Sequence, residues 1–238
     1  MKYKRKEVIK TDTLGKELLN QLNCESVFTI PVFGGIEVDE AVVVTWIIMA
    51  GLTLASIILT RNLKVDNPGK VQLLLESTIE SANNFFEDIV GENGRQYIPY
   101  LITIGLFIGV SNLIGLLGFK PPTKDMNVTA ALALMSIILI EYAGIHRKGP
   151  LKWVKSFTKP IAIITPINIL EVFIRPLSLC MRLFGNVIGA FVVMELIKKL
   201  IPVAIPVAFS CYFDIFDGLI QAYVFVFLTS LFISEAIE

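Results

Sequence analysis

The feature that most restricts the fold is a series of apolar runs, two of them longer than a membrane is thick. Residues 41–60 carry no charge between Ala41 and Thr60. About 20 apolar residues are what an α-helix needs to cross a hydrocarbon core of about 30 Å. Residues 98–119 form a second such run, with Ser111 and Asn112 as its strongly polar members. Residues 128–145 form a third. The short loop 120–125 between them makes the two spans an antiparallel hairpin. Segments 161–201 and 202–237 overshoot: at about 1.5 Å per residue they would run to about 60 and 50 Å. An average tilt of about 20° absorbs little of that excess. Either they break, at Pro160, Pro166, Pro176, Pro202 or Pro206, or they lie steeply inclined.

Hydrophobic residues make up 54 % of the chain and charged ones 18 %, which places it among integral membrane proteins. Lys+Arg and Asp+Glu balance at 21 each, so no charge bias points to nucleic acid. Cys24, Cys180 and Cys211 are scattered and lack metal-ligand spacing. Residues 1–40 read as a polar N-terminal segment with a short surface helix near 13–22, and no strand pattern, repeat or low-complexity tract is found. The basic start is not followed by the apolar stretch of a signal peptide. Residues 41–238 form a single membrane domain. Within it, 69–90 reads as an amphipathic helix: Val71, Leu75, Ile79, Ala82, Phe86 and Ile89 recur at three and four residues. Its other face is acidic, so it lies on the membrane surface or against other helices.

Arg147, Lys148, Lys152, Lys155 and Lys159 make 146–159 the most basic loop, which the positive-inside rule assigns to the cytoplasm. Counting back over three spans puts the N-terminus outside; the C-terminus then lies in the cytoplasm. Glu141, beside Tyr142 and His146, reads as an interfacial residue, and His146 as a loop residue and not a metal ligand.

The chemistry sits in the last third. Glu171, Arg175, Ser178, Arg182, Asn186 and Gly189 fall on one side of a helix. An Arg at mid-bilayer depth costs about 2.5–3.5 kcal/mol on insertion scales. Such a residue is either paired with a carboxylate for structure, or faces protein or water and acts there. The last segment has a polar line of its own. Ser210, Asp214, Asp217 and Gln221 share a face when projected as an α-helix. Folding the two segments together brings that face near the arginines. This allows ion pairing, or a wet path interrupted by one cation.

Met181-Arg182-Leu183-Phe184-Gly185-Asn186, preceded by Arg175-Pro176-Leu177-Ser178-Leu179, resembles the signature of subunit a of the rotary F-type ATP synthases. Pro68-Gly69-Lys70 before the amphipathic helix, and Asn127-Val128-Thr129 after an acid, are further local matches. The resemblance implies an all-α fold of about three spanning helices, a surface amphipathic helix, and two long, strongly tilted helices paired as a hairpin that turns near 198–202. It implies the stationary ion-translocating subunit, facing a rotating proteolipid c-ring and held by peripheral-stalk b subunits. It implies no catalysis, cofactor or bound nucleotide in this chain. Position by position, Arg182 matches the essential arginine and Gln221 the glutamine of the final helix that faces it. Asn112 matches a polar residue along the outer half-channel, and Asp214 a site of ion access. Asn186 and Gly185 belong to the motif and serve close packing. Where some relatives carry a glutamate, nine residues after the arginine, this chain has Phe191. Glu195, one turn on, stands in, and Asp214 and Asp217 take more of the work.

Two other readings fit less well. An independent channel or secondary transporter tends to show matching halves, and the charged features here crowd into the last third. An intramembrane hydrolase needs a nucleophile with its base, or metal ligands.

Overall fold

The computed structural model describes residues 26–30, 36–65, 68–117, 119–156, 165–200, 209 and 211–237. The helix expected near 13–22 lies outside them. The N-terminal segment corrects the reading that found no strands: β1 (Ser26–Ile30) pairs antiparallel with β2 (Ile36–Asp39). The overlooked signal is Gly34-Gly35, a turn pair between two short runs rich in β-branched residues.

Helix α1 (Glu40–Thr60) follows β2 directly. Val44 and Ile48 bury themselves against Ile114. Trp46, Ile47, Leu54, Ile57 and Ile58 point outward and exposed, as suits a helix bathed in lipid. Lys120 Nζ lies 2.7 Å from Glu40 Oε2 and ties the start of α1 to the 120–125 loop. Helix α2 (Lys70–Val90) is the amphipathic one, and its C-terminal end enters the core through Phe86, Ile89 and Val90. Gly91 stops it with φ of 72°, a conformation costly for any residue with a Cβ.

Helix α3 (Ile98–Leu113) is flanked by the 3-10 turns Glu92–Tyr97 and Ile114–Leu117. Helix α4 (Met126–Lys148) starts where the Asp125 carboxylate accepts from the Asn127 N–H at 2.8 Å, a side-chain N-cap. It runs further than the apolar count suggests, so His146, Arg147 and Lys148 are helical. The short helix α5 (Pro150–Ser156) follows. Much of the expected basic loop is therefore helix, because cations suit a helix C-terminus. Trp153 Nε1 donates to Glu141 Oε2 at 3.1 Å, with its indole packed over Gly144.

Helix α6 (Thr165–Leu200) is one continuous helix that passes through Pro176. The overlong segment is thus not broken there, although proline removes one ladder hydrogen bond. The final helix α7 (Gly218–Ile237) is entered through a π-helical stretch, Cys211–Asp217. Residues 198–200 of the expected hairpin turn are still helix, and 201–202 lie outside the described residues. Among the described residues, five helical stretches are long and apolar enough to cross a membrane: Glu40–Thr60, Glu92–Leu117, Met126–Lys148, Thr165–Met194 and Ile215–Ile237. The fold is that of an all-α integral membrane protein.

Helix α7 is the centre of the packing. It touches α3, α4 and the end of α2, while α6 packs mainly on α4. Gln221, Ala222, Phe225, Val226, Thr229, Ser230, Ile233 and Ile237 form its buried face at helical spacing. The α3–α7 contact is close because small residues line it. A Cβ on Gly105 would come 3.1 Å from Val226, one on Gly109 3.9 Å from Ala222, and one on Gly218 3.0 Å from Asn112. Such small-residue seams let membrane helices approach closely.

Candidate functional site: two arginines and a polar final helix

The two arginines of α6, seven residues apart in sequence, have opposite environments. Arg175 is half-buried and committed. Its Nη2 lies 2.8 Å from Glu235 Oε1 on α7 and 3.4 Å from Glu171 Oε1 one turn back. Its guanidinium carbon stands 4.9 Å from the centre of the Phe232 ring, within cation–π range. Glu235 is the lone charged side chain of α7, and that isolation was a sequence signal that went unused.

Arg182 is exposed, and among the described residues no ion pair or hydrogen bond satisfies it. Leu179, Cys180 and Leu183 beside it point inward and are buried, which turns Arg182 away from the core. It shares the outward side with Met181, Gly185 and Asn186, all exposed. A Cβ on Gly185 or Gly189 would meet nothing within 4 Å. Among the described residues, no neighbour packs against the Gly185 and Asn186 side of the helix.

On α7, Gln221 is 6 % exposed. Asp217 closes the π-helical stretch half-buried, without an ion pair among the described residues. The widened turn alters the projection of Asp214, Asp217 and Gln221, since a π-helix bonds i to i+5 and not i+4. The single shared face read from sequence is thus skewed. Ser210 and the side chains of Asp214 and Glu195 lie outside what is described. Asp217 makes no ion pair with either arginine among the described residues, and Arg175 takes its partners from Glu171 and Glu235.

Asn112 is used at both ends. Its Nδ2 donates to the Gly218 carbonyl at 2.9 Å, and its Oδ1 accepts from Thr123 Oγ1 at 2.8 Å. It brackets α3, the 122–124 turn and the start of α7. Nearby, Phe191 is half-buried and Lys124 Nζ sits 3.6 Å over its ring centre. Thr123 and Lys124, both buried, were missed from the sequence because a Lys-Pro-Pro-Thr-Lys-Asp run reads as an exposed loop. Among the described residues, no group of three His, Cys, Asp or Glu side chains could hold a metal ion.

The family model described as ATP synthase A chain matches residues 42–234. The chain is 39 % identical over 204 residues to ATP synthase subunit a 3 of Pelobacter propionicus, covering 84 % of this chain and 88 % of that protein. It is 36 % identical over 206 residues to ATP synthase subunit a of Moorella thermoacetica, covering 86 % and 94 %. Against ATP synthase subunit a 2 of Bradyrhizobium sp. strain BTAi1 it is 35 % identical over 205 residues, covering 86 % and 91 %.

Proposed function

The chain belongs to the ATP synthase A chain family, and from that premise we propose that it is the stationary ion-translocating subunit of a rotary ATP synthase. The observation that carries the reading furthest is the contrast within α6. Arg175 is neutralised inside the chain, whereas Arg182 is exposed and has no ion pair or hydrogen bond among the described residues.

In this reading a proteolipid ring passes the outward side of α6, each of its subunits carrying a carboxylate. An ion-loaded, neutral carboxylate can travel through lipid; a bare one cannot, because its desolvation cost is too high. Arg182 attracts the bare form, so a passing site empties as it arrives. The same charge repels cations and separates two half-channels. Arg suits the task because guanidinium keeps its charge where an ammonium would lose it on burial. Exposed Gly185 and Gly189 leave room for a ring helix to come close.

Gln221 and Asp217 line the α7 side of the path, with Asp214, Glu195 and Asn186 contributing access and exit. Asn112 and Arg175 serve by position: one holds the start of α7, the other clasps α6 to α7. The two long helices form an inclined hairpin against the ring, and peripheral-stalk b subunits hold the chain still. The end bearing Arg147, Lys148 and Lys152 faces the cytoplasm, with the N-terminus outside. The chain itself does no bond chemistry and binds no nucleotide.

The test is Arg182→Ala in the intact complex. Coupled ATP synthesis should be lost while the complex still assembles with its ring; normal synthesis rejects the role. Stimulation of the complex's ATPase by Na⁺ would identify the ion as Na⁺ and not H⁺.

A further inference from the structure

Where α2, α4 and α7 end together, a cavity of about 670 Å³ opens. Arg147 and Lys148 from the last turn of α4, and Lys152 from α5, line it together with one carboxylate, Asp88. A second pocket of about 320 Å³ adjoins it, sharing Arg147 and adding Tyr97, His146 and Glu92. Each helix C-terminus carries about half a negative charge, so part of the positive charge serves the helix ends. Yet none of the three cations is in an ion pair or hydrogen bond among the described residues, and neither is Asp88. Holding three cations around one cavity costs mutual repulsion that no carboxylate among the described residues relieves by contact.

A second observation points the same way. Tyr97 is 5 % exposed, and its hydroxyl has no partner of ordinary hydrogen-bond geometry among the described residues, although the Gln96 side chain approaches it. A buried hydroxyl left unbonded costs about 1–3 kcal/mol. It is a donor waiting for an acceptor in a pocket that Arg147 also lines. Ile89, Val90 and Ile237 give the larger cavity an apolar wall.

We infer that these joined cavities bind a phosphate group, gathered by Arg147, Lys148 and Lys152 and accepting a hydrogen bond from Tyr97. The phosphate belongs either to an anionic lipid headgroup or to a free soluble anion. Basic pockets between membrane helices are suited to the former, and the apolar wall gives acyl chains a path. The site lies apart from Arg182 and does not depend on the ion-translocation reading.

The experiment uses the intact complex in detergent, incubated with phosphatidylglycerol, phosphatidylcholine or inorganic phosphate. Lipid retention is read by native mass spectrometry and stabilisation by thermal denaturation. Wild type should retain more phosphatidylglycerol than the Arg147→Gln/Lys152→Gln variant, by about tenfold in apparent affinity. Tyr97→Phe should weaken retention severalfold. Asp88→Asn, which removes the opposing charge, should strengthen it, and this gain guards against a variant that merely misfolds. Stabilisation by inorganic phosphate, lost in the same double variant, without selective lipid retention assigns the site to a soluble anion. Equal retention of both lipids with no phosphate effect, or undiminished binding in the double variant, overturns the inference.

Discussion

Asn112→Ala should loosen the molecule more than its small change in volume suggests. The side chain is 5 % exposed and Thr123 fully buried, and both of its hydrogen bonds are short, at 2.9 and 2.8 Å. The Gly218 carbonyl lies in the first turn of α7, where it also serves the helix ladder, so losing Asn112 costs it only a second bond, about 0.5–1 kcal/mol. Thr123 is worse off, since its buried hydroxyl loses its acceptor, which costs about 1–3 kcal/mol. The sum is about 1.5–4 kcal/mol, or a fall of roughly 3–16 °C in the thermal midpoint of a chain this size. Thr123→Val should cost less, since it removes the buried hydroxyl itself and leaves only Asn112 Oδ1 short of one donor. The double variant should fall short of additivity by about 1 kcal/mol, the coupling of the shared bond. Thermal denaturation of the complex in detergent, with passive ion flux in liposomes, reads both consequences. Unchanged stability with strict additivity, together with a large loss of flux, would refute the bracket and return Asn112 to the ion path.

Three further outcomes are expected. Gly105→Val should destabilise by about 1–3 kcal/mol through overpacking, because even an added Cβ stands 3.1 Å from Val226; a protease-resistance assay of the complex checks it, and a neutral result means the α3–α7 seam is looser than described. Glu235→Gln should weaken the α6–α7 clasp by about 1 kcal/mol or less, since that carboxylate is 59 % exposed and screened by solvent; the loss should shrink with added salt, and salt-independence would argue against an ionic clasp. Asp214→Asn should slow ion flux through the assembled complex, and flux unchanged over several pH values would make Asp214 structural only.

What the sequence carried well was everything set by solvent. The apolar runs and the amphipathic face of α2 follow from hydropathy, and the five apolar helices found among the described residues lie near those runs. What it carried poorly was set by contacts between distant residues. Glu235 meets Arg175 across 60 positions, so nothing local separates the paired arginine from the unpaired one. The π-helical turn before Gly218 has no marker in its own residues; Asn112, 106 positions away, holds the carbonyl at its end. The strands β1 and β2 fell between two habits of reading. They are too short for a period to assert itself, and they precede a chain whose apolar runs all argue for helix.

The clasp and the bracket bear on the same geometrical quantity. Asn112 fixes where α7 begins, and Arg175 fixes where its far end meets α6. Between those two points α7 lies close to α3, since a Cβ added at Gly105 would stand 3.1 Å from Val226. The azimuth and height of Gln221 and Asp217 relative to α6 are therefore set by residues that need never touch an ion. A single unpaired cation can act as a barrier only if the groups around it hold still, since a displacement of an ångström or so alters electrostatic and hydrogen-bonded geometry substantially. An arginine so close in sequence to Arg182 is thus best spent on structure. Among the described residues, Arg175 takes Glu171 and Glu235 as its partners and leaves Arg182 with none.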